Sequence, residues 1–153
     1  MQPGVSRFNR ESCGRAIHEV SKKVCDMLKV RLFSFGFKHG LPADISYLFD
    51  ARFLPNPYWE ENLRHLSGRD PEIASYVVGS EQGTQFLVLL EPLLSFIVGQ
   101  IINAGKTDVH IGVGCTGGRH RSVAVVEALG SILAGRGDIE LTVFHRDIEK
   151  HDA

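Results

Sequence analysis

Apolar positions in the last third of the chain switch between two periods. Val109, Ile111 and Val113 alternate with polar or small residues, the period-2 pattern of a strand with one buried face. A Gly-rich run follows over residues 114–122. An apolar helical stretch then covers about 120–133, stopped by Gly135 and Gly137. Ile139, Leu141 and Val143 alternate again. Strand, loop, helix and strand make a βαβ unit, which predicts a right-handed crossover and a parallel pair.

The earlier chain reads as a strand over 30–35, a loop over 36–42 punctuated by Gly36, Gly40 and Pro42, and a second strand over 47–51. Pro55 and Pro57 forbid regular structure around Asn56. A short helix is predicted over 58–66, ended by Gly68, and another over 72–78 behind Pro71. A long helix over 84–103 would bury Phe86, Leu90, Leu93, Leu94, Ile97 and Ile101 and kink at Pro92. Near the start, Ile17, Val20, Val24, Met27 and Leu28 share one helical face, with Ser12 as the cap. The expected organisation is an N-terminal extension over 1–29 and one compact α/β domain over 30–150. That domain would hold a mixed, largely parallel sheet flanked by helices.

Composition narrows the function classes. A chain of 153 residues is long enough for one real core, and 43% apolar with 23% charged residues is ordinary for a soluble globular protein. The formal net charge of -1 supplies no overall basic field, so any RNA contact needs a local patch. The apolar run over 86–102 is interrupted by Glu91, Pro92 and Gln100 and reads as a core helix, so no membrane association is expected. Cys13, Cys25 and Cys115 are odd in number and match no zinc spacing. With no secretory start, they point to a reducing cytoplasm and to no bound metal.

The chemistry concentrates in Gly114, Cys115, Thr116, Gly117, Gly118, Arg119, His120, Arg121 and Ser122. The first turn of a helix has unpartnered N–H groups and partial positive charge, so an anion fits there. Gly117 and Gly118 allow close backbone approach, Thr116 and Ser122 offer hydroxyls, and Arg121 can fork onto two phosphate oxygens. The carboxyl end of a strand is also where α/β sheets bind ligands. A plain tight turn would not need two glycines, two hydroxyls and two arginines in nine residues. No Gly-Lys-Ser/Thr is present in the loop, so it is no Walker A motif, and no cofactor is expected.

A second chemistry fits the same residues. Cys115 and Arg121 are separated by five residues with Ser122 next, the Cys-x5-Arg-Ser/Thr cradle of cysteine phosphatases. A thiol at a helix N-terminus beside arginines is a plausible nucleophile. The reaction would also need a carboxylic acid, for which Asp44, Asp50 and Asp147 are candidates. Against this stands Cys115 as a small residue lining a binding pocket.

Further positions flank the loop. Lys38 and His39 follow the first strand and reach the same pocket if that strand lies beside the phosphate strand. Asp50 and Arg52 end the second strand, either as a structural ion pair or with Asp50 accepting sugar hydroxyls. Asn56 is a rigid turn first and a ligand contact second. His145 and Arg146, with Lys150 beyond, follow the last strand and can rim the pocket or touch an RNA backbone.

Three segments in order, Ser34 to Gly40, Phe49 to Pro57 and Gly114 to Val123, together with His145 to Lys150, resemble the C-terminal domain of the RNase adapter RapZ family. The resemblance spans about residues 30–150. It implies a domain similar to half of a phosphofructokinase-like architecture, a sensor of glucosamine-6-phosphate, and a homo-oligomer. It also implies a small RNA and an endoribonuclease as partners. On that reading Cys115 is a binding residue and the protein is no enzyme. The family's P-loop nucleotide-binding domain has no counterpart in residues 1–29, so a stand-alone domain or a fragment is expected. The tail beyond Lys150 is less basic than in the RNA-binding members, which favours the sugar phosphate over RNA.

Overall fold

The sheet is built around β1 (Leu28–Gly36), which pairs with β3 (Asp108–Cys115) on one side and β4 (Ile139–His145) on the other; β2 (Tyr47–Asp50) adds to the outer edge of β3. The structure is a computed structural model that describes residues 27–150. The amphipathic helix expected from Ser12 lies outside them, except for its last two positions, of which Leu28 opens β1. Lys29 and Arg31 alternate with buried neighbours at the start of β1, whereas every residue from Leu32 to Gly36 is buried. A strand covered on both faces loses its alternation, and β1 is that strand.

All neighbouring strands run parallel, so among the described residues the sheet holds no antiparallel member where a mixed sheet was expected. The parallel sense follows from the connections. Helix α3 (Arg121–Leu133) carries the chain from β3 to β4, and α1 (Pro71–Val77) and α2 (Glu81–Asn103) carry it from β2 to β3. The segment between β1 and β2 returns along β3, where the Ser46 N–H donates to the His110 carbonyl. β3 and β4 are parallel but not paired, because β1 lies between them. β1 and β3, each paired on both edges, are the strands with unbroken buried runs, over residues 32–36 and 111–115.

α3 packs across β1, β3 and β4 and buries Val123, Val126, Leu129 and Leu133. α1 packs against α3 through Ile73 and Val77. The helix expected over 58–66 is instead a 3-10 turn at Pro57–Trp59 followed by further turns. Arg64 Nε donates to Tyr58 O, a carbonyl the first turn of that helix would use, while Arg119 donates to His65 O and Leu66 O and His120 Nε2 meets Arg64 O.

α2 starts three residues before the expected Thr84, because Ser80 Oγ accepts from the Gly83 N–H at 3.0 Å and donates to Val77 O at 2.6 Å. Its helical run continues through Pro92. Leu90, Leu94, Val98 and Ile101 form a narrow buried seam, and Leu93, expected inside, is 46% exposed beside Val88, Leu89 and Phe96. By length and composition alone α2 could cross a membrane, yet this seam belongs to the same core as the sheet. The cap gives a direct check. Ser80→Ala should lower stability by about 1 kcal/mol in urea denaturation, with an unchanged m-value; no loss would mean the cap does not hold the helix start.

Candidate functional site

The parallel sheet brings the carboxyl ends of β1, β2 and β3 to one edge, with Gly36 opposite Cys115 and Asp50 opposite Gly114. There β1 and the loop after β3 touch backbone to backbone. A Cβ on Gly36 would lie 2.5 Å from the Gly117 carbonyl carbon, and one on Gly118 would lie 2.5 Å from the Gly36 nitrogen. Gly118 also has φ +77°, which L side chains rarely adopt. Gly117 differs: a Cβ there would find only the end of Lys38, at 3.8 Å. The Lys38 N–H donates to Thr116 O at 3.2 Å, tying the segment after β1 to the loop.

A cavity of about 630 Å³ opens on this edge. From the loop it is lined by Cys115, Thr116, Gly117, Arg119, His120 and Arg121. Lys38, Asn56 and Lys150 join them, as the sequence suggested. Tyr58, Trp59, Arg64 and His65 also line it, and these the sequence reading missed because it placed them in a helix. Gly118 and Ser122 sit behind the wall. Ser122 is fully buried with its Oγ 3.1 Å from Cys115 Sγ, and Sγ also accepts from the Gly118 N–H at 3.3 Å.

The loop's cations are held by carbonyls. Arg119 donates to Leu66 O, Ile148 O and His65 O. Arg121 is buried. Its Nη1 donates to Arg52 O at 2.6 Å and Leu54 O at 3.4 Å, and its Nη2 to Thr116 Oγ1 at 3.4 Å. That leaves Nε and part of Nη2 available for further bonds on this cavity wall. Burial pushes the His120 pKa below the usual imidazole range, so the ring is neutral near pH 7. Its Nε2 must then carry the hydrogen, because it faces the Arg64 carbonyl at 3.1 Å.

Several expected site residues lie elsewhere. His39 does not line the cavity, and its Nε2 is buried without a hydrogen-bond partner. Asp50 and Arg52 form the structural pair: Arg52 Nη2 is 2.7 Å from Asp50 Oδ2, and its hydrogen bonds hold the Asp50 carboxyl below the usual range. Arg52 also stacks 4.1 Å over the Phe37 ring. The His145 side chain is buried between Ser34 Oγ at 2.7 Å and Glu127 Oε1 at 2.6 Å, so it does not rim the pocket. Arg146 is spent on Asp147 and on the carbonyls of Gly36 and Gly40. Strand ends share an edge, but the side chains at that edge alternate in direction.

The three carboxylates considered for acid catalysis are all outside the cavity lining. Asp44 faces His110, Asp50 is paired with Arg52, and Asp147 is fully buried. Among the described residues no cluster of His, Cys, Asp or Glu could hold a metal ion.

A family model described as the RapZ C-terminal domain matches residues 28–149. Relatives include a nucleotide-binding protein of Acetivibrio thermocellus, 45% identical over 125 residues, or 82% of this chain and 43% of that protein. A nucleotide-binding protein of Rubrobacter xylanophilus is 47% identical over 133 residues, 85% of this chain and 44% of its own length. One from Caldicellulosiruptor bescii is 40% identical over 131 residues, 86% of this chain and 45% of its own. The chain therefore spans less than half the length of the curated relatives it matches.

Asp147 yields a test of the architecture under the site. Burial pushes its pKa up, but hydrogen bonds from Arg146, the Gly36 N–H and Lys150 outweigh it and hold the value at about 2, against 3.8 for a free side chain. A depressed carboxylate pKa contributes stability that is present above the unfolded value and lost as pH falls through the folded one. Urea denaturation should show about 2 kcal/mol lost between about pH 4 and about pH 2. Asp147→Asn should be less stable by a similar amount at pH 7 and lack that share of the acid limb. Identical acid limbs in the two proteins would contradict the assignment.

Proposed function

The chain belongs to the RapZ C-terminal domain family, and on that premise we propose that it is a regulatory domain that binds a glucosamine-6-phosphate-like sugar phosphate in the cavity at the 114–122 loop. One observation carries the reading. Lys38, Arg119, Arg121 and Lys150 converge on a single cavity at the start of α3, and among the described residues no Asp or Glu lines it. Such a cavity favours an anion, and the first turn of α3 adds its N–H groups and dipole. The phosphate oxygens meet Arg121, Thr116 and the loop backbone, Lys38 neutralises further charge, and Cys115 lies in the floor as a binding residue. As part of a longer RNase adapter, the domain would couple occupancy of this cavity to a small RNA and an endoribonuclease. An RNA backbone phosphate, or the phosphate of the nucleotide for which the relatives are named, satisfies the same cradle.

A cysteine phosphatase is the second reading, favoured by the contact of Cys115 Sγ with Ser122 Oγ within the Cys-x5-Arg spacing. Among the described residues no carboxylic acid lines the cavity, which weighs against it.

Calorimetric titration with glucosamine-6-phosphate, glucosamine and inorganic phosphate separates the readings. The sugar phosphate should bind saturably and more tightly than either fragment. Lys38→Ala should weaken it about tenfold, the scale of one charge-assisted hydrogen bond. Arg121→Ala, checked for folding by circular dichroism, should abolish binding. No inorganic phosphate should appear on prolonged incubation. Failure of all three ligands to bind would overturn the sensor reading, and phosphate release that disappears in Cys115→Ser would establish the phosphatase.

A further inference from the structure

Trp59 stands on the rim of the phosphate cavity with 74% of its surface exposed, next to Tyr58 at 41%. A large exposed indole gains nothing for the fold, because its apolar area stays in water. Yet the segment that carries it is fixed in detail. Pro55 and Pro57 restrict the backbone on either side of Asn56. Asn56 Oδ1 accepts from the Tyr58 N–H, and Asn56 O accepts from the Trp59 N–H. Arg64 Nε donates to Tyr58 O, and its guanidinium covers the Tyr58 ring at 4.9 Å. Tyr58 in turn meets Trp59 edge to face, 5.6 Å between centroids. The segment is also bonded to the phosphate loop itself, through His120 to Arg64 O and through Arg119 to His65 O and Leu66 O. The backbone that carries the indole is therefore held at a set position relative to the loop, and the indole itself rests on Tyr58. A cavity of about 630 Å³ has room for much more than one phosphate group.

We propose that Trp59 is a stacking platform for a ring joined to the phosphate, so that the cavity has two subsites: the 114–122 loop for the anion and the indole face for the flat, weakly polar face of that ring. This rests on the phosphate reading of the loop and adds the chemistry of the rest of the ligand. The shared chemistry has two sources, the apolar face of a pyranose or a nucleobase, and both stack on indole.

Trp59 is the sole tryptophan of the chain, so intrinsic fluorescence reports on this ring directly. Inorganic phosphate, glucosamine-6-phosphate and adenosine monophosphate would be titrated into wild type, Trp59→Ala and Trp59→Phe, with calorimetry for all three proteins. A ring-bearing ligand should bind wild type more tightly than inorganic phosphate and change the fluorescence where phosphate does not. In Trp59→Ala its advantage over phosphate should fall about fivefold or more, with partial recovery in Trp59→Phe. A larger Trp59-dependent advantage for adenosine monophosphate identifies a nucleobase, and one for glucosamine-6-phosphate identifies a sugar ring. Binding of phosphate with no Trp59-dependent gain for either ring overturns the subsite alone. Failure of every ligand to bind wild type overturns the phosphate site and the subsite with it.

Discussion

The end of β1 and the loop after β3 meet with no room for a side chain between them, and the site depends on that contact. Gly36 and Gly118 each lack the Cβ that would collide with the other segment's backbone. The Gly36 N–H is taken at 2.7 Å by the buried carboxylate of Asp147, which Arg146 and Lys150 neutralise. Three separate chain segments are fixed to one another at this point: the end of β1, the anion loop and the stretch after β4. The open face of Gly117 and the side chain of Lys38 are presented to the cavity as a result.

The basic residues divide between scaffolding and presentation. Arg119 and Arg121 stitch the loop to residues 52–54, 65–66 and 148 through main-chain carbonyls. A guanidinium with five N–H groups can satisfy two or three carbonyls and still offer an edge to a ligand. That explains arginine, and not lysine, at the buried position 121. Lys38 and Lys150 are more exposed and line the cavity, Lys150 while paired with Asp147 at 2.7 Å. Irregular backbone between Asn56 and Gly68 follows from the same economy, since its carbonyls are the acceptors that hold the loop's cations.

Local signals in the sequence were sufficient for the strands, for α3 and for the glycine-rich loop between β3 and α3, because period-2 alternation and a glycine cluster before an apolar helix are short-range patterns. Lys38, read from its loop after a strand, Asn56, from its proline-flanked turn, and Lys150, from the segment that carries the resemblance, all line the cavity. Local signals failed where long-range contacts decide. β1 enters between β3 and β4, a placement that depends on which strand buries both faces. Residues 58–66 have helix-compatible composition, yet they fold as turns, with the carbonyls of 64–66 accepting from Arg119 and His120. His145 and Arg146 sit at the right edge of the sheet and point into structure, which strand position alone does not reveal. Trp59 looked like one apolar residue of a short helix and is the most exposed aromatic of the cavity.

Backbone amide shifts followed by ¹H–¹⁵N correlation spectra during addition of inorganic phosphate test the central claim most directly, because the anion should be held by N–H groups as much as by side chains. The largest and saturable shifts should fall on the amides from Thr116 to Ser122, with smaller ones at Lys38. Shifts that are absent, or that concentrate on another surface, would contradict an anion site at the start of α3.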